Sequence, residues 1–77
     1  MKYYKSDQTV KIGDEVTYGG TPGIVVFIID DDEYSVKYPK SIWSYLGKGV
    51  GIELQLSTPT LCYLDTIDDE EDLISSK

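Results

Sequence analysis

The sequence predicts a mainly β protein, a small and strongly bent antiparallel sheet of four or five short strands with one brief helical or 3₁₀ turn. Short β-branched or alternating runs recur along the chain, separated by Gly- and Pro-containing turns. Glycines at 13, 19, 20, 23, 47, 49 and 51 supply the bends that a curved sheet needs. The length of 77 residues makes one domain with a single core, and a hydrophobic content of 40% is too rich for a disordered chain.

Residues 1–9 are polar and aperiodic and read as a loose lead-in. Val10-Lys11-Ile12 opens the pattern, Gly13-Asp14 signals a turn, and Glu15-Val16-Thr17-Tyr18 alternates as a strand. Residues 19–23 hold three glycines and a proline, a turn between strands. Residues 24–29 are continuously β-branched or aromatic. With both faces apolar, this run belongs at the centre of the sheet.

Asp30, Asp31, Asp32 and Glu33 stop that strand with four adjacent charges. Tyr34-Ser35-Val36-Lys37-Tyr38 alternates again until Pro39 ends it. Residues 39–46 place Ile42, Trp43 and Leu46 at helical spacing, and Gly47 can close one or two turns of helix or 3₁₀. Residues 47–51 form a glycine-rich approach to the strand Ile52-Glu53-Leu54-Gln55-Leu56. Ser57-Thr58-Pro59-Thr60 connects to a return strand, Leu61-Cys62-Tyr63-Leu64. The expected organisation is a single domain over 1–77, with its core in 10–67 and an acidic end over 68–77.

Charge is unevenly placed. Residues 49–77 carry seven acids against one base, Lys77, whereas residues 1–48 carry seven acids and six lysines, for a total of −7. There is no His and no Arg. Without clustered cations, nucleic acid and anionic membrane surfaces are poor ligands. Without His, no base is at hand to activate Ser, Cys or Thr, and carboxylate pairs in so small a chain have little cleft to work in. The expectation is a protein that is not an enzyme and needs no cofactor. Zinc is disfavoured by a single Cys and no His, and neither acidic run has calcium-loop spacing. The glycine-rich run at 47–51 lacks the trailing Gly-Lys-Ser/Thr of a phosphate cradle and a following helix signal. Cys62 cannot form an internal disulfide, and no apolar run reaches membrane-spanning length, so a cytoplasmic location is expected.

Recognition remains. Tyr and Trp bury much area at small entropic cost, and carboxylates around them select a basic partner and speed encounter. The candidate partner-binding residues are Asp30, Asp31, Asp32, Glu33, Tyr34, Trp43, Tyr45, Asp65, Asp68, Asp69 and Glu70. Trp43 also suits a core position, as a large anchor for a small domain. Unpaired sheet edges leave a monomer or a weak dimer open.

Ile12-Gly13-Asp14-Glu15-Val16, followed by Gly23-Ile24-Val25-Val26-Phe27-Ile28, resembles the opening of Src-homology-type (SH3-like) small barrels. More broadly, residues 43–55 and the acidic close over 64–74 resemble small acidic bacterial immunity proteins encoded beside polymorphic or contact-dependent toxins. That resemblance implies binding to a basic toxin domain, blocking its active site or substrate groove. The alternative is a generic small-barrel module that binds proteins or peptides through an aromatic groove.

Overall fold

The eight-residue strand at the centre of the molecule is the one that the β-branched run dictates. The computed structural model describes residues 1–4, 7–67 and 73–75. In chain order the strands are β1 (Glu15–Tyr18), β2 (Thr21–Ile28), β3 (Glu33–Tyr34), β4 (Val50–Leu54), β5 (Thr60–Leu64) and β6 (Ile74–Ser75). They form one antiparallel sheet in the order β5-β4-β2-β1-β6, with β3 also pairing with β2. A single helical turn, α1 (Lys40–Trp43), runs into a 3₁₀ turn at Ser44–Leu46. The fold is thus small and mainly β, with four strands of four to eight residues and two of only two.

Pro22 lies within β2, where a proline would ordinarily cost a ladder bond. Its carbonyl accepts from the Gln55 N–H at 2.8 Å, so its missing N–H faces the same side, just past the end of β4. No bond to β1 is lost.

The β2–β4 ladder pairs Val25 with Ile52 and then Phe27 with Gly51, leaving Val26 as an extra residue. This bulge changes the parity of β2. Val25 and Ile28 both enter the main core with Tyr3, Val10, Val16, Val50, Ile52 and Leu73. Phe27, also fully buried, lies outside that cluster and turns to the opposite face. There Tyr34 stacks on it at 6.4 Å and Trp43 at 5.3 Å between ring centroids, with Tyr38 tilted at 6.1 Å. The sheet therefore has a main core on its inner face, closed by both terminal segments, and an aromatic layer on its outer face, closed by residues 34–43.

Several expectations change. The expected loose lead-in over 1–9 is tied to the domain at its described residues: Tyr3 is buried, its hydroxyl donates to Asp14 at 2.8 Å, and the Val10 N–H donates to the Met1 carbonyl at 2.9 Å. Residues 34–38 do not continue as a strand. The chain reverses between Ser35 and Tyr38, whose N–H donates to the Ser35 carbonyl at 3.0 Å, and Val36 stands wholly in solvent at the tip. β4 begins at Val50 rather than Ile52, because Gly51 is the strand residue that admits the Phe27 ring. The core extends past the expected boundaries at both ends, since Leu73 is buried and residues 74–75 pair with β1.

Candidate functional site

The first acidic run is held largely by its own chain. Asp30 and Asp31 lie in a 3₁₀ turn (Ile29–Asp31), which Asp32 closes in the left-handed region at φ 55°, a conformation that Asp tolerates better than most residues. Asp31 pairs with the Met1 amine at 2.7 Å, Asp32 with Lys40 at 2.9 Å, and Glu33 with Lys11 at 3.7 Å. The Asp32 carboxylate raises the pKa of Lys40 by hydrogen bond and charge. Three of the four acids thus have a cation, each supplied by a different segment.

Asp30 differs. Its Oδ1 accepts from the Gly49 N–H at 2.8 Å, and the carbonyl of the preceding residue, Lys48, accepts from the Tyr63 hydroxyl. Gly49 is buried at φ 114°, and a Cβ there would stand 2.5 Å from the Leu64 carbonyl oxygen, so only glycine fits. Burial, then the Asp65 and Asp30 carboxylates and Tyr45, raise the pKa of the Tyr63 hydroxyl. Asp30 and Tyr63 thus meet at the Lys48–Gly49 peptide, and Asp65 follows one residue after the end of β5. Among the described residues no cation pairs with Asp30 or Asp65.

Tyr45 is 77% exposed and Ile42, three residues earlier on the same helical segment, is 57% exposed. Residues three apart share one side of such a turn, so the two form an apolar ridge beside this acidic corner. Trp43 points the other way.

Tyr34 packs inside the outer layer, and Trp43 takes the anchor position that the sequence also offered it. Both rings are committed to Phe27, and Trp43 also meets Tyr38 at 5.9 Å. Trp43 is an anchor of the outer layer. Tyr38 completes that layer by donating to Glu53 at 2.7 Å, where Lys37 also donates at 3.0 Å while lying over the Tyr38 ring. Burial and then Glu53 push the Tyr38 hydroxyl up to about 12, and Tyr38 followed by Lys37 lowers the pKa of Glu53.

Asp68, Asp69 and Glu70 lie outside the described residues. Of the candidate residues, Asp30 is held at the Lys48–Gly49 peptide, Asp65 follows β5, which pairs with the strand that this peptide leads into, and Tyr45 stands exposed. Tyr63, which holds the Lys48 carbonyl, is not among the candidate residues that the sequence singles out. A tyrosine one residue before the strand's end, two before an acid and facing a glycine-rich loop, is the signal that was available.

Among the described residues no group of three or more His, Cys, Asp or Glu is placed to hold a metal ion, and no helix is long and apolar enough to cross a membrane. No protein-family model, curated protein or solved structure matches this chain.

Proposed function

We propose that this is a non-catalytic binding protein of the immunity or inhibitor type, which takes a basic protein domain, a cognate toxin, onto its acidic corner and blocks that domain's active site or substrate groove. One observation carries this reading: Asp30, at the peptide that Tyr63 also holds, and Asp65, just past the end of β5, have no lysine partner among the described residues, and Tyr45 stands exposed. Uncompensated carboxylates around an exposed aromatic suit Lys or Arg on a partner, for charge steering and for cation–π contact. The charge of −7 extends the same field over the whole chain. The alternative, peptide binding in an aromatic groove, has less support, since the outer-face rings pack on one another and Lys37 already lies over Tyr38.

Coexpression with the product of the neighbouring reading frame tests the proposal. Rescue of growth and an isolable complex are expected, with an association rate that falls as salt screens the exposed charges. Absence of both rescue and complex would overturn it.

A further inference from the structure

The outer edge of β5 offers a second surface. The Gln55 N–H donates to Pro22 on β2, so by strand alternation the backbone groups of Glu53 also face β2, and those of Leu54, Ile52 and Val50 face β5. Their partners are Thr60, Cys62 and Leu64. The N–H and C=O groups of Leu61 and Tyr63 consequently point away from the sheet, at the end of the strand order, and no backbone hydrogen bond from the described residues meets them. Edge strands are ordinarily guarded by Lys, Pro, a bulge or shortness. β6, at the other end of the order, is two residues long. β5 has none of these guards: it reads Thr-Leu-Cys-Tyr-Leu, is uncharged, and pairs with β4 in unbroken register.

We propose that β5 pairs antiparallel with β5 of a second copy about a two-fold axis at Cys62, continuing the sheet across two molecules. Leu61 of each copy then exchanges both backbone hydrogen bonds with Tyr63 of the other, using all four outward groups on each side. The side chains of these two residues meet as an aliphatic–aromatic pair, twice over. The two Cys62 residues face each other as a non-hydrogen-bonded pair with Cα atoms about 4.5 Å apart, within disulfide reach. The register opposes no like charges. Asp65 lies three residues beyond the axis in each copy, which sets the two carboxylates about 20 Å apart, roughly twice the screening length at 0.1 M salt. The remaining negative charge on each copy still repels at long range, so salt strengthens this contact, whereas it weakens the contact with a basic partner.

Sedimentation equilibrium of the full chain tests this between about 0.1 M and about 1 M salt, where the screening length falls from about 10 Å to about 3 Å. A monomer–dimer equilibrium that shifts toward dimer with salt is expected. Diamide, which is reduced to its hydrazine as two thiols become a disulfide, should trap the Cys62–Cys62 dimer, and Cys62→Ser should keep the reversible dimer. Leu61→Pro removes an outward N–H and no bond to β4, so it should abolish both the dimer and the trapping. If that variant fails to fold by circular dichroism, Leu61→Asp gives the same loss at low salt by placing two carboxylates diagonally across the axis, about 7 Å apart. A protein monomeric at every concentration and salt, a dimer that dissolves as salt rises, or a dimer that survives the Leu61 substitution would each overturn the proposal. Binding of a basic partner is separate from these outcomes, since it falls with salt and does not need the Leu61 N–H.

Discussion

Asp30 and Tyr63 hold one peptide group from its two sides: the carboxylate accepts from the Gly49 N–H while the phenol donates to the Lys48 carbonyl. This gives Asp30 two separable roles. Asp30→Ala leaves a buried N–H without a partner and should cost about 1–3 kcal/mol. Asp30→Asn keeps an acceptor and should cost far less, while removing the charge offered to a basic partner. Urea denaturation and binding kinetics on the two variants check this. Equal loss of stability in both would show that the acceptor geometry is not what matters.

Gly51 lies under the ring of Phe27, and a methyl group there would meet ring carbons well inside van der Waals contact. Phe27 is wholly buried and flanked by Tyr34, Tyr38 and Trp43, so the ring has nowhere to retreat. Gly51→Ala should destabilise by about 1–3 kcal/mol or more through overpacking. The denaturant midpoint reads it.

Trp43 and Tyr45 should divide cleanly between stability and binding. Trp43→Ala opens the outer layer, and its half-buried ring suggests a loss of about 2–3 kcal/mol, below the range for a fully buried Trp. Tyr45→Ala should stay within about 0.5 kcal/mol in stability, as exposed substitutions do. Its effect should appear in the partner's dissociation rate. A large stability loss from Tyr45→Ala would remove it from the binding surface.

The Tyr38–Glu53 contact sets opposite pH limbs. Folding lowers the Glu53 pKa, so its contribution is present above the unfolded glutamate pKa and is lost as pH falls through the folded one. Folding raises the Tyr38 pKa to about 12, so the neutral phenol's contribution is present below the unfolded tyrosine pKa and is lost as pH rises toward that value. Glu53→Gln should flatten the acid limb of the stability profile. Tyr38→Phe should remove a late component from the phenolate absorbance titration.

Leu73, 2% exposed, separates two readings of the acidic end. Leu73→Ala should cost about 2–5 kcal/mol, so a truncation that removes it tests the core as much as the charge. Converting the acids at 65 and 68–72 to their amides tests the charge alone. The amide variant should keep its thermal midpoint and lose association rate at low salt.

Much of the fold was legible because its signals are local. The apolar run from Ile24 marked the central strand, which ends at Ile28, one residue before the run does, and Trp43 and Leu46 at helical spacing before Gly47 marked the short turn, whose last N–H is that of Gly47 donating to Ser44 at 3.0 Å. What escaped depends on distant neighbours. Nothing in an aperiodic polar segment says that Tyr3 will find Asp14 and enter the core. Alternation at 34–38 mimics a strand, yet the tyrosines at both ends of the reversal turn toward the same phenylalanine. The acids at 31–33 look free in sequence and acquire cations from positions 1, 40 and 11. Asp30 and Tyr63 meet at one peptide only because β5 returns beside β4.

The extra residue at Val26 gives one strand a wall in each hydrophobic layer, with Val25 and Ile28 on one side and Phe27 on the other. Neither layer can come apart while β2 stays in place for the other. Loss of the aromatic layer therefore loosens the strand that supports the main core, and the domain should melt as one cooperative unit. Amide hydrogen exchange then reports a common opening free energy at Val25 and Phe27, although their side chains never share a neighbourhood.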